Sequence, residues 1–84
     1  MPVKKSDLIT PAQCRAARAL ADMTQPELAE RSDLGLSTVV DFEKSRREVS
    51  ERAIIELRGA LERAGIRFIN EGRQQGVVTD KIKK

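Results

Sequence analysis

Residues 24–43 read TQPELAERSDLGLSTVVDFE, and their pattern decides the fold. The stretch divides into two short helices joined by a tight turn. Thr24 and Glu27 stand three apart, the spacing of a capping box, in which each side chain accepts the other residue's free backbone amide. Leu28, Ala29 and Ser32 turn inward, and Asp33 and Leu34 make the turn. A second helix starts around Gly35 and puts Val39 and Phe42 on one face, three apart. Ala29 sits where a crossing helix needs a small side chain in order to approach closely. Helices this short bury too little apolar surface to stand alone. They must belong to a compact helical domain that presents one of them outward, an arrangement that a duplex groove accepts.

The flanking sequence supplies that domain. Upstream, Thr10, Pro11, Ala12 and Gln13 form a second start signal, a capping Thr with Pro at the first helical position and Gln three residues on. The helix it opens runs to about Asp22, with Cys14, Ala17, Leu20 and Ala21 on its inner face, and Met23 ends it. Downstream, residues 44–48 make a charged loop. Ser50 caps a long helix, with Val49 able to staple onto Ile54 from outside. Ile54, Leu57, Leu61 and Ala64 form its apolar stripe, and Gly65 is its stop. Beyond Gly65 the period changes. Ile66 and Phe68 alternate with Arg67, and a polar stretch over residues 71–76 leads to Val77, Val78 and Thr79, so two short strands form a hairpin. An isolated hairpin is marginal in water, so it either packs on the helices or pairs with another subunit.

Composition sets the outer limits. A chain of 84 residues makes one small domain that buries only about 60–65% of its unfolded surface. Its apolar side chains are Leu, Ile, Val and Ala with two Phe and no Trp or Tyr, so the core is small and aliphatic, and oligomerisation is a natural source of extra stability. No apolar run approaches the roughly 20 residues of a membrane span, and there is no signal-peptide core, which points to a cytoplasmic protein. The single cysteine, Cys14, rules out an internal disulfide and a Cys-based metal cage, and its apolar surroundings make it a core thiol. With no His, no nucleophile–base pair and no phosphate-cradling Gly loop, neither catalysis nor a cofactor is expected. The net charge of +3 is modest. Its distribution says more, because Lys44, Arg46 and Arg47 cluster beyond the second short helix and Lys81, Lys83 and Lys84 end the chain.

The helix pair resembles the helix-turn-helix of the Cro/cI-type DNA-binding regulators, the XRE family. The matching residues are Gln25, the pair Leu28 and Ala29, Leu34 after the turn, Val39, and the pair Phe42 and Glu43, in register without gaps. The wider similarity covers about residues 9–64. The family usually has Gly in the turn, where this chain has Asp33, a residue that tolerates the left-handed conformation better than most. Ser32 is also more polar than the usual residue at its place. The resemblance implies a mainly α fold, a compact four-helix helix-turn-helix domain over residues 9–65; the change of period after Gly65 adds a short C-terminal β-hairpin over residues 66–80, itself a possible dimerisation element. A loose arm over residues 1–8, with Lys4 and Lys5, and a basic tail over residues 81–84 complete the chain.

In this family the second helix enters the major groove with its N-terminal end leading, which puts Leu36 and Ser37 nearest to base edges. At about 100° per residue, Leu36, Ser37, Val40 and Lys44 turn outward and Asp41 lies on the outward flank. Leu36 and Val40 can press on thymine methyl groups, Ser37 can donate or accept, and Asp41 can accept from a cytosine amine. Leu36 and Val40 could equally contact another protein, and Asp41 could discriminate against wrong sites. No Arg, Asn or Gln occupies this face, so readout by DNA shape and half-site spacing should supplement it. Phosphates should be held by Thr24 and Gln25 at a helix N-terminus, by Thr38, and by Lys44, Arg46 and Arg47. Gln25 matches the family position that holds a backbone phosphate. Glu43 matches a residue that commonly pairs with an Arg of the first helix, and Arg18 occupies that matching place, which implies a structural ion pair. Glu48, Glu51 and Arg52 should pair among themselves.

These readings converge on a sequence-specific transcriptional regulator, a homodimeric repressor of phage or mobile-element type on a palindromic double-stranded DNA operator. The alternative is a protein-binding module on the same scaffold, an antitoxin or an antiactivator. No membrane partner, metal or small-molecule ligand is expected for either.

Overall fold

Each helix begins where its sequence supplies a cap. Thr10 and Gln13 form a complete capping box at α1 (Pro11–Ala21), and Thr24 and Glu27 form another at α2 (Gln25–Ser32). Gly35 opens α3 (Leu36–Glu43) with no side-chain cap, and Ser50 accepts the Ala53 amide at the start of α4 (Glu51–Arg63). Two antiparallel strands, β1 (Ile66–Glu71) and β2 (Gln74–Thr79), close the order, in a register running from Ile66 opposite Thr79 to Glu71 opposite Gln74. The computed structural model describes Lys4 and residues 7–80. Most of the arm, with Lys5, and the tail lysines Lys81, Lys83 and Lys84 lie outside the described residues.

The first three helices end alike. In each, a non-glycine residue turns left-handed: Asp22 (φ 55°) after α1, Asp33 (φ 59°) after α2 and Ser45 (φ 55°) after α3. The next residue's amide then reaches back five positions: Met23 to the Arg18 carbonyl, Leu34 to Ala29 and Arg46 to Asp41. This is the Schellman arrangement, which satisfies end carbonyls and reverses the chain sharply. Only α4 gives the left-handed place to glycine, Gly65 (φ 99°).

The core lies between the four helices, with α1 and α2 packed against both α3 and α4. Ile9, Cys14, Ala17, Met23, Leu28, Ala29, Val39, Phe42, Leu57, Ala60, Leu61 and Ile66 are all buried there. Two assignments on the helix faces shift. Leu20, placed inward by periodicity, is 45% exposed. The buried arc of α1 runs through Gln13, Cys14 and Ala17, and Leu20 falls at its edge, about 10 Å along the helix from Gln13. On α4 the fully buried residues are Ala53, Leu57, Ala60 and Leu61, and Ile54 and Ala64 are only partly covered.

The hairpin packs on the helices of its own chain. Ile66 is buried, and Phe68 and Val77 lie against the core. Gln13 fixes it: its side-chain nitrogen donates to the carbonyls of Ile69 (3.2 Å) and Gly76 (3.0 Å), one on each strand. Among the described residues the result is four helices and an antiparallel hairpin, mainly α. Among the described residues, no helix is long and apolar enough to cross a membrane.

Candidate nucleic-acid interface

α3 is held from behind by one carboxylate. Glu43, 2% exposed, turns into the interior beside Val39 and Phe42. Its Oε2 accepts from Arg18 Nε (2.7 Å) and Cys14 Sγ (3.1 Å), and its Oε1 accepts from Arg18 Nη2 (2.7 Å) and Gln25 Nε2 (2.9 Å). Arg15 donates to the Glu43 carbonyl, and Arg18 also reaches the Met23 carbonyl. A buried charge is tolerated when both oxygens are hydrogen-bonded in this way, and the pair is bidentate. α1 contributes Arg15, Cys14 and Arg18, α2 contributes Gln25, and α3 is fixed between them. Burial pushes the Glu43 carboxyl's pKa up, but hydrogen bonds from Arg18, Cys14 and Gln25 outweigh it and hold the group below the usual carboxylate range. Burial and the contact with Glu43 raise the Cys14 thiol far above its ordinary value, so it stays protonated and donates. Sequence pattern gave no sign of the parts taken by Cys14 and Arg15, since their partner lies 29 and 28 positions away.

With its inner side fixed, α3 turns the opposite side to solvent. Leu36 is 46% exposed, one of the two large apolar side chains so exposed in the chain's described part; Ser37 next to it and Lys44 at the far end of the helix are exposed as well. Val40, Thr38 and Asp41 are half-buried. Measured from buried Val39, Phe42 and Glu43 at about 100° per residue, Ser37, Asp41 and Lys44 point most squarely outward. Asp41, placed on the outward flank by sequence, is therefore central to this face by direction.

The two helix starts on this side differ. At α2 the capping box takes the amides of Thr24 and Glu27, Pro26 has none, and Leu28 bonds the Thr24 carbonyl. Among the described residues, that leaves only the Gln25 amide of this turn without an acceptor. The exposed Glu27 carboxylate, held below its usual pKa by hydrogen bonds from Thr24, adds negative charge there. The Gln25 side chain is itself engaged with Glu43. At α3, by contrast, Gly35 supplies no side-chain cap, and the amides of Leu36 and Ser37 have no acceptor among the described residues. The open, partly positive helix end is the leading end of α3.

Beyond α3 the cations separate into two kinds. Lys44 and Arg46 are exposed and have no side-chain partner among the described residues. Arg47 folds back instead, with Nε 2.9 Å from Asp41 Oδ2 and Nη2 3.4 Å from Thr38 Oγ1. Arg47 also donates to the Glu48 carbonyl. The pairing expected among Glu48, Glu51 and Arg52 does not form among the described residues: Glu51 occupies the first turn of α4, and it is the Glu48 backbone that binds Arg47. No group of three His, Cys, Asp or Glu able to hold a metal ion occurs among the described residues. No protein-family model matches the chain, and no curated protein matches it.

Proposed function

We infer that this protein is a sequence-specific, double-stranded DNA-binding transcriptional regulator of the helix-turn-helix kind, resembling the Cro/cI-type regulators and acting as a homodimeric repressor on a palindromic operator. α2 and α3 are its motif, and α3 is the helix that enters the major groove. The observation that carries this reading is the makeup of one surface. An eight-residue helix is fixed from inside by Glu43, opens on uncapped amides with Leu36 and Ser37 exposed at that end, and is followed at its other end by Lys44 and Arg46, which have no side-chain partner among the described residues. Those amides and cations suit phosphates, and Leu36, Ser37 and Val40 suit thymine methyls and base edges. One chain offers one such helix, so a palindrome takes two copies, with helices about 34 Å apart in successive major grooves. Repression follows when the bound dimer occludes polymerase.

A footprint on DNA flanking the protein's own gene tests this. Two protected half-sites separated by one helical turn are expected, lost on Ser37→Ala and Leu36→Ala together. Absence of protection at low salt on that DNA, and of any preference among duplexes, refutes the reading.

The exposed Leu20 and Leu36 also favour a second reading, a protein-binding antitoxin or antiactivator. For such a module, replacing Lys44 and Arg46 by Gln leaves partner binding intact.

A further inference from the structure

The outward face of α3 has no Arg, Asn or Gln, so the helix itself lacks every side chain that grips a purine with two hydrogen bonds. A fork arrives from outside the helix. Ser45, left-handed at φ 55°, reverses the chain after α3, and Arg47 returns along the helix flank. Its guanidinium lies over two successive turns of α3, bonded to Thr38 and Asp41, with Glu48 holding its other side. Of its five N–H groups, three are used among the described residues, which leaves one on each terminal nitrogen. The side chain is still 52% exposed, so that remaining pair is open to a ligand.

The tether is poorly explained by either simpler role. An exposed ion pair adds little stability. A cation that serves phosphates works without being fixed, and Lys44 and Arg46 on the same rim have no side-chain partner among the described residues. The Asp41 carboxylate already has Oδ2 engaged by Arg47, which leaves mainly Oδ1 to accept from a base. What a fixed guanidinium does gain is direction: its fork is oriented before the ligand arrives, so less freedom is lost on binding. Asp41 meanwhile has its charge offset, and a carboxylate central to this face no longer repels phosphates.

We propose that Arg47 is a base-reading residue, donating to O6 and N7 of a guanine in the major groove, and that Asp41 is the positioning residue that aims it. This rests on the DNA-binding reading of α3 above. It exchanges the parts that sequence alone assigns to the two residues, a phosphate contact for Arg47 and a base contact for Asp41.

Selection from a randomised duplex library tests it, with the wild type, Arg47→Lys and Asp41→Asn run in parallel and their urea midpoints compared. The wild type is expected to enrich a motif with one strongly preferred G in each half-site. Arg47→Lys keeps the charge but loses the fork. It should lower the preference at that one position by roughly 5- to 150-fold and leave the other positions and the salt dependence unchanged. Asp41→Asn should relax the same position with an unchanged urea midpoint, an effect that a merely structural role does not produce. The proposal is overturned if Arg47→Lys returns the wild-type motif or weakens all sequences alike. It is equally overturned if Asp41→Asn strengthens binding to every sequence without relaxing that position. A wild-type selection that enriches no motif removes the DNA-binding reading and this proposal together; a wild-type motif with indifferent variants removes the proposal alone.

Discussion

At Glu43 two opposed effects meet. Burial disfavours its charge, while hydrogen bonds from Arg18, Cys14 and Gln25 favour it more, so the folded pKa lies below the usual one. In the unfolded chain the same carboxyl returns to about 4.3. On acidification the unfolded state therefore binds the proton first. The stabilisation from ionised Glu43 is fully present above that unfolded value and is lost as pH falls through the folded one. Replacing Glu43 by Ala leaves Arg18, whose side chain is only 20% exposed, without its partner. The expected loss at pH 7 is about 3–5 kcal/mol by urea unfolding. The difference between wild type and variant should shrink below about pH 4. A loss under about 0.5 kcal/mol at pH 7, or one that does not depend on pH, would show that the pair contributes nothing to the packing of α1 against α3.

At the scale of elements, the joints between them matter most, and Gln13 makes one. It is a capping residue of α1 and, with the other end of the same amide, the bridge to both strands. Gln13→Ala should cost about 1–3 kcal/mol, because two carbonyls lose their donor. The loss should be local: amide exchange is expected to quicken over residues 66–79 and to stay slow in α2 and α4. Uniform quickening would mean that the hairpin is held by burial of Ile66 and Phe68 instead. Only half of this residue was legible in sequence. Its capping partner Thr10 is three positions away, within the reach of local rules, whereas Ile69 and Gly76 lie 56 and 63 positions away. The same division runs through the chain. Both capping boxes, the four helices, the Gly65 stop and the hairpin follow from spacing. The reversal at Ser45 does not, because serine carries no strong signal for the left-handed conformation, and with it went the Arg47–Asp41 contact. Leu20 was misplaced for a related reason: a helical period gives the centre of a buried face better than its edge, and here Gln13 holds that edge for the hairpin.

For the whole molecule, charge decides how the proposed function should respond to its surroundings. A net charge of +3 over 84 residues is too small for attraction to DNA from any direction. Attraction must come from placement: Lys44 and Arg46, with no side-chain partner among the described residues, follow the C-terminal end of α3, about 12 Å along the helix from its open start, while Arg47 and Asp41 offset each other. If two copies make about six to eight phosphate contacts, the logarithm of affinity should fall with the logarithm of salt concentration at a slope of roughly −5 to −7. Each cation counts twice in a two-fold dimer. Lys44→Gln or Arg46→Gln should thus flatten the slope by about 2, and weaken binding to matched and unmatched duplexes by the same factor. Titrations from low to moderate salt on both duplexes measure this directly. A slope that stays put in both variants would move the phosphate contacts elsewhere on the surface. A variant that lost only the matched duplex would turn a cation assigned to the backbone into one that reads bases. Because the Lys44 and Arg46 side chains are exposed and have no partner among the described residues, neither substitution should change the urea midpoint, so any change in slope belongs to the interface itself.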